Sequence, residues 1–315
     1  MIRQLGKSGW VLGLVGLLVA LAILTKAIQP DFSASGFESL ARASLPFAFA
    51  TAAMTVAILV GGIDLSVASM MAVASVTAAV LMDGAGDLTA GLVVAFVLVV
   101  GLAMGAINGA LIVITRVPDI VATLAMLYVW EGVALLILNA PGGAAAPWLR
   151  ELIVGSVVPW VPKSLVFLVV CLAVVWVPLK RSKLGLYIYA TGSSELAAYR
   201  SGVPTRATRV AAYAIGGLFA ALGGLTLTMS TGIGEPIPGP YLLAAVAAAV
   251  LGGVVLGGGI GGLLGPILAV IILRLVRMDL TLASVDPNVT TIVEGTIMVI
   301  VVMLGGILAV KGRQT

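Results

Sequence analysis

The sequence predicts an all-α, polytopic membrane protein with about ten transmembrane helices. Apolar runs of 18 or more residues recur along the whole chain. Each is long enough to cross a hydrocarbon core of roughly 30 Å. Only 10% of the 315 residues are charged, against about 25% in an ordinary soluble domain. The runs are also continuous, whereas a membrane barrel needs apolar and polar residues in alternation.

Ten spans follow in order, at about 10–29, 43–61, 64–82, 89–114, 118–139, 163–179, 208–231, 241–257, 261–279 and 288–309. The first begins after Arg3 and Lys7. It is longer than the apolar core of a secretion signal, and no small-x-small cleavage site follows it, so it reads as a transmembrane helix. "GGID" alone separates the second span from the third, and "GGGIGG" the eighth from the ninth. These four are candidates for broken or partial crossings. Before the tenth, "DPN" reads as a helix start, with Asp286 as cap and Pro287 in the first turn.

Basic residues set the orientation. With the N-terminus in the cytoplasm, the inner side collects Arg3, Lys7, Arg116, Lys180, Arg181, Lys183, Arg200, Arg206, Arg209, Lys311 and Arg313. The outer side holds Lys26, Arg42, Arg150, Lys163, Arg274 and Arg277. The bias places both termini inside. The two longest loops, about 140–162 and 180–207, are each under ~30 residues, short of the ~50 of a small domain. The chain therefore reads as a single transmembrane domain over 1–315, and any ATPase it uses is a different chain.

Composition narrows the chemistry. There is no histidine, the commonest metal ligand and general base. The lone cysteine, Cys171, lies in an apolar run and cannot form an internal disulfide. Neither a metal site nor a catalytic cluster is expected. Two nucleotide-motif lookalikes fail. "GKS" at Gly6–Ser8 lacks the upstream glycine and strand of a P-loop, and "GGGIGG" has no βαβ unit around it. The net charge of +4 is sorted by loop and does not point to nucleic acid.

The 39 glycines suit closely packed membrane helices. Gly101, Gly105 and Gly109 recur every four residues. So do Gly253, Gly257, Gly261 and Gly265, unless a helix break near Gly257–Gly259 interrupts that ridge, and Gly216, Ala220 and Gly224. Each set predicts a small-residue ridge for helix packing, or a surface that slides during transport. In "VGGIDLSV", Gly62 can break the helix, and Asp64 with Ser66 can cap the next one or shape a pathway. Glu131 and Glu294 lie in apolar spans, where a carboxylate needs a cavity or a partner. Asn108 can bond between helices.

One stretch departs from this apolar pattern. "TGSSELAAYRSGVPTRATR", residues 191–209, is polar and basic. Ser193 or Ser194 can cap a short helix through Glu195, Ala197, Ala198, Tyr199 and Arg200, with Gly202 as its stop and Pro204 barring continuation. Ala197 and Ala198 offer a shallow face, flanked by charge. By composition alone it can lie on lipid headgroups or bind another protein.

Here a resemblance enters. "LGLYIYATGSSELAAYRSGV" followed by "AAYAIGGLFAALGG" resembles the cytoplasmic loop and next helix of permease subunits of ribose-type sugar ABC importers. These belong to the superfamily that includes the branched-chain amino-acid permeases. "GGIDLSV", "GAINGALIVITRVPDIVATLAM" and "YLLAAVAAAVLGGVVLGGGIGGLLG" resemble three further family motifs, in order, over about residues 43–310. The resemblance implies a type II importer permease of the bacterial cytoplasmic membrane. Its partners are an ABC ATPase carrying the ATP and magnesium, a second permease and an external substrate-binding protein. No cofactor sits on this chain, which is a transport subunit and not an enzyme. The resemblance further implies that Ser194, Glu195, Ala197, Ala198, Tyr199, Arg200 and Gly202 form the coupling helix that docks on the ATPase. Gly62, Asp64, Ser66, Asn108, Glu131 and Glu294 are the candidates along the pathway. Leu242 and Ala244 stand where family members often carry acidic residues, and Glu131 where arginine is common. These departures leave the substrate open among pentoses, hexoses, polyols, amino acids and nucleosides. They leave a heterodimer as open as a homodimer.

Overall fold

A computed structural model describes residues 2–237 and 239–311, with side chains described for 9–237, 239–300 and Met303. The side chains of Arg3, Lys7 and Lys311, and Arg313 entirely, lie outside the described residues, so their part in the charge bias has no structural counterpart here.

The chain is helical nearly throughout. In order come α1 (Ile2–Ile28), α2 (Ala34–Leu59), α3 (Val67–Met82), α4 (Asp87–Thr115) and α5 (Asp119–Ile137). A short α6 (Pro147–Glu151) and a two-stranded hairpin, β1 (Ser156–Val158) with β2 (Val161–Pro162), precede α7 (Lys163–Arg181). Then follow α8 (Lys183–Ser193), α9 (Glu195–Arg200), α10 (Thr205–Thr231), α11 (Tyr241–Leu251), α12 (Leu264–Leu282) and α13 (Pro287–Lys311).

Among the described residues, six helices are long and apolar enough to cross a membrane: α1 from Gly9, α2, α4, α5, α7 and α10. Of the other expected spans, α13 has 25 residues, with an apolar described stretch over Pro287–Ile300, and the remaining three are shorter or more charged. α3 has 16 residues and α11 only 11. α12 carries Arg274, Arg277 and Asp279 in its second half. The eighth span, expected at 241–257, stops at Leu251 because the chain turns back through 252–263, where Gly253, Gly258, Gly259 and Gly261 all have positive φ. The predicted ridge Gly253–Gly257–Gly261–Gly265 therefore does not exist as a helix face. A four-residue spacing lines up side chains only where the backbone is helical.

α2, α3 and α10 form the centre, buried on all sides over most of their length. Residues uniformly apolar or small around the helix allow this. α4 packs against α10 through the other predicted ridge. An added Cβ on Gly101 would lie 2.6 Å from the Gly217 carbonyl oxygen, and one on Gly109 2.8 Å from the Val210 Cα. One on Gly105 would strike the Tyr213 carbonyl. The absent side chains are what let the two backbones touch. Gly224 of the third ridge meets the α3 backbone at Met71, while Gly216 has only ordinary contact with Ala53.

α1 lies at the periphery, packed along α12 and tied by two side-chain hydrogen bonds to the rest of the bundle. The Trp10 indole donates to the Leu251 carbonyl (2.9 Å), and Thr25 donates to Asp279 (2.7 Å). The predicted start of α13 is present: Asp286 Oδ1 accepts from the Asn288 N–H at 2.7 Å.

Candidate functional site

The polar island, 191–209, covers the end of α8, all of α9 and the start of α10. α9 is capped by Ser194, whose hydroxyl accepts from the Ala197 N–H at 3.3 Å. Its other end is closed by Gly202 at φ +83°. There the Gly202 N–H bonds the Tyr199 carbonyl and the Val203 N–H bonds the Ala198 carbonyl, both at 3.0 Å. That pair of bonds is a Schellman stop, which needs a left-handed residue. Six residues are thus fixed as a helix by their ends, where propensity alone would leave so short a segment open.

The face α9 presents differs from the one expected. Ala198 is 6% exposed and turned into the chain, so it cannot contribute an outward contact. Leu196 (60%) and Tyr199 (69%) are exposed instead. Ala197 is exposed, and so are Glu195 and Arg200. Leu196 and Tyr199 lie three positions apart on one exposed turn, flanked by Glu195 and Arg200.

The base of α9 is tightly locked. Gly192, at the end of α8, leaves no room for a side chain against the Leu59 carbonyl and the Gly259 N–H. The Gly259 N–H bonds that same carbonyl at 3.0 Å. An added Cβ on Gly258 would lie 2.9 Å from the Gly61 Cα. Three turns therefore converge: the 60–66 turn, the α8–α9 joint and the 252–263 turn. Tyr189 extends this by donating to the Gly261 carbonyl at 2.9 Å, and burial pushes its phenol above the ordinary tyrosine range.

A charged network lies beside the junction. Arg209, in the first turns of α10, donates to both oxygens of Asp119 at 2.7 and 2.8 Å. It also reaches Glu195 of α9 at 3.3 Å. Tyr213, one turn further along α10, donates to Asp119 Oδ2 at 2.9 Å. Gly62 makes room for this, because a side chain there would displace the Asp119 carboxylate and the Tyr213 hydroxyl. Both Arg209–Asp119 bonds come from one nitrogen, Nη2, while Nη1 faces Glu195. The Arg209–Asp119 pair is largely shielded, at 19% and 13% exposure, and its hydrogen bonds are charge-assisted. The Glu195 arm, half-exposed, contributes little by itself.

Further in, Asp64 Oδ1 accepts from the Ser66 N–H (2.9 Å) and hydroxyl (2.6 Å). Asn108 donates to Ser66 Oγ at 2.7 Å and accepts from the Trp130 indole at 3.1 Å. Asp64, Ser66, Asn108 and Trp130 thus link the 60–66 turn and the start of α3 to α4 and α5 in one polar chain, while Gly62 lies beside Asp119 and Tyr213. Glu131 and Glu294 stand apart from it. Glu131 lies on a partly exposed face of α5, and Glu294 pairs with Arg277 of α12 at 3.4 Å. Asp119, Tyr213, Trp130 and Leu196 were not anticipated as site residues, and Arg209 was anticipated only as a loop charge. The available signal was Asp119 itself, an acid directly after Pro118 in the first turn of a span. Another unforeseen feature is Arg274, half-buried in α12 with its guanidinium 5.2 Å from the Phe47 ring and 5.9 Å from that of Tyr241.

The family model described as branched-chain amino acid transport system / permease component matches residues 36–302. The chain belongs to that family. The permease is 29% identical over 312 residues to the autoinducer 2 import system permease protein LsrD of Escherichia coli strain K12, covering 94% of this chain and 92% of LsrD. LsrD of Shigella flexneri matches to the same extent. A protein of Sinorhizobium fredii named "Probable ABC transporter permease protein y4mJ" is 32% identical over 223 residues, covering 70% of this permease. That match spans 65% of the y4mJ length. No solved structure matches. The chain is accordingly a multi-pass ABC importer permease, a transport component.

Proposed function

We propose that this permease carries a sugar or sugar-like polyol across the bacterial cytoplasmic membrane by alternating access, driven by a separate ATPase that grips α9. The observation that carries the reading is α9 itself: a six-residue helix closed at both ends, showing Leu196 and Tyr199, on a base with no slack. A helix built that way transmits a push to the bundle without bending. The sugar assignment rests on the four sequence motifs and on similarity, over nearly the whole chain, to permeases named for autoinducer 2 import. Under this reading ten segments cross or enter the membrane in a type II arrangement, and both termini are cytoplasmic. A second permease, identical or paralogous, completes the pathway. An external binding protein delivers substrate, and ATP with magnesium acts on the partner ATPase.

Glu195→Lys or Gly202→Trp should weaken ATPase co-purification while the protein still inserts in the membrane. Unchanged co-purification for both refutes the docking role of α9. A branched-chain amino acid remains the second substrate class, favoured by the description of the matching family. The ligand that co-purifies with the cognate binding protein separates the two. An ion-coupled carrier would need a buried carboxylate for coupling; Glu294 is paired with Arg277 and Glu131 is partly exposed, while Asp64 is buried with Oδ2 unpartnered. Uphill uptake by proteoliposomes with an ion gradient and no ATPase would establish that alternative and sink this one.

A further inference from the structure

We propose that the Arg209–Asp119 ion pair is the strut through which displacement of α9 reaches α5. Arg209 and Asp119 are then positioning residues for transport and touch no substrate. This rests on the coupling reading of α9 and names the part of the bundle that α9 moves.

A single guanidinium spans three elements. From α10 it holds Glu195 at the first residue of α9 and both carboxylate oxygens of Asp119 at the first residue of α5. The planar fork fixes direction as well as distance, which a lysine ammonium on a flexible stem cannot do. Tyr213 and the missing side chain of Gly62 confine the carboxylate from the other sides.

α5 is held differently from its neighbours. α4 and α10 interlock through backbone contact at Gly101, Gly105, Gly109 and Gly217, and a seam of that kind resists sliding. α5 packs along α3, with Ala122 and Ala134 in the core and without a glycine seam, since Gly132 has open space around it, and it is tied at three polar points along one side. Asp119 meets α10. Thr123 accepts from the Leu65 N–H at 3.1 Å and lies 3.1 Å from the Ile63 carbonyl of the 60–66 turn. Trp130 bonds Asn108 of α4. Its opposite side, with Val121, Leu124, Tyr128 and Leu136, is exposed. A helix packed on α3 without a backbone seam, and bonded at its first residue to the α9 network, is the element that can follow α9 while α4 and α10 stay together.

The test uses the whole complex of permease and ATPase in lipid nanodiscs, with its purified binding protein added and ATP hydrolysis as the probe. Arg209→Ala, Asp119→Ala, the double variant and Arg209→Lys are compared. ATPase co-purification should stay within about twofold of the parent for all four. Stimulation of ATP hydrolysis by the binding protein should fall roughly tenfold in each alanine variant, and no further in the double variant, as expected for two residues acting as one unit. Arg209→Lys, with its charge kept and its fork lost, should remain impaired. Unchanged stimulation in Arg209→Ala overturns the strut. Additive losses in the double variant, or full function in Arg209→Lys, overturn it as well. If Arg209→Ala inserts poorly, the Arg209→Lys result decides. Glu195→Lys and Gly202→Trp serve as the separate controls: if both leave co-purification intact, the docking role of α9 fails, whereas their failure to bind alongside normal stimulation in Arg209→Ala removes the strut alone.

Discussion

The α4–α10 seam gives the sharpest quantitative prediction. A Cβ at Gly109 would sit 2.8 Å from the Val210 Cα and 3.0 Å from the Tyr213 Cβ. Carbon atoms in contact prefer about 3.5–4.0 Å, so Gly109→Ala forces the two helices apart by roughly 1 Å. The first obstacle is backbone, which cannot rotate away. Overpacking of this kind costs about 1–3 kcal/mol, and a 1 Å gap at neighbouring contacts forfeits up to about half of each dispersion well. Against this, alanine is a better helix former than glycine by about 1 kcal/mol. The net expectation is destabilisation of about 1–2 kcal/mol. Gly91 lies on the same helix with open space around it, so Gly91→Ala should gain up to about 1 kcal/mol. Gly105→Ala, which strikes the Tyr213 carbonyl, should be the worst of the three. Equilibrium unfolding in mixed micelles with rising dodecyl sulfate, followed by tryptophan fluorescence, ranks them. If Gly109→Ala unfolds at the same midpoint as Gly91→Ala, the close approach is not what holds α4 to α10.

Trp130→Phe removes the donor to Asn108 Oδ1, and Asn108 is fully buried. An unpaired buried acceptor costs about 1–3 kcal/mol, which the same unfolding assay should register; an unmoved midpoint would show that another donor replaces the indole. Gly192→Ala places a methyl between the Leu59 carbonyl and the Gly259 N–H, which bond each other at 3.0 Å. It should insert normally yet lower ATPase co-purification several-fold, because α9 sits directly on that joint. Full co-purification would mean that the three-turn junction does not position α9.

Much of the molecule is legible in the sequence because its signals are local. The runs behind α1, α2, α4, α5, α7 and α10 announce themselves by length and hydropathy alone. Ser194 and Gly202 mark α9, and Asp286 with Pro287 marks α13, because capping depends on a few adjacent residues. Gly101, Gly105 and Gly109 predict a packing face correctly, since the span around them is helical. The same spacing at Gly253–Gly265 misleads, because the sequence pattern does not say whether its backbone is helical, and four of the glycines in that stretch take positive φ. Ala198 shows a related limit. A six-residue helix has no long periodicity to tell its inner face from its outer one, and the choice of Leu196 and Tyr199 as the outward pair falls to its neighbours.

What the sequence determines by itself is the solvent each segment prefers and where helices start and stop. Those are sums of short-range terms: transfer of side chains from water to hydrocarbon, and hydrogen bonds between residues a few positions apart. What only the tertiary structure decides is which polar groups meet. Asp119 and Arg209 stand 90 residues apart, and Asn108 and Ser66 42 apart. Their bonds exist because α4, α5, α10 and the start of α3 are brought side by side, where shielding from solvent makes an unpaired polar or charged group costly.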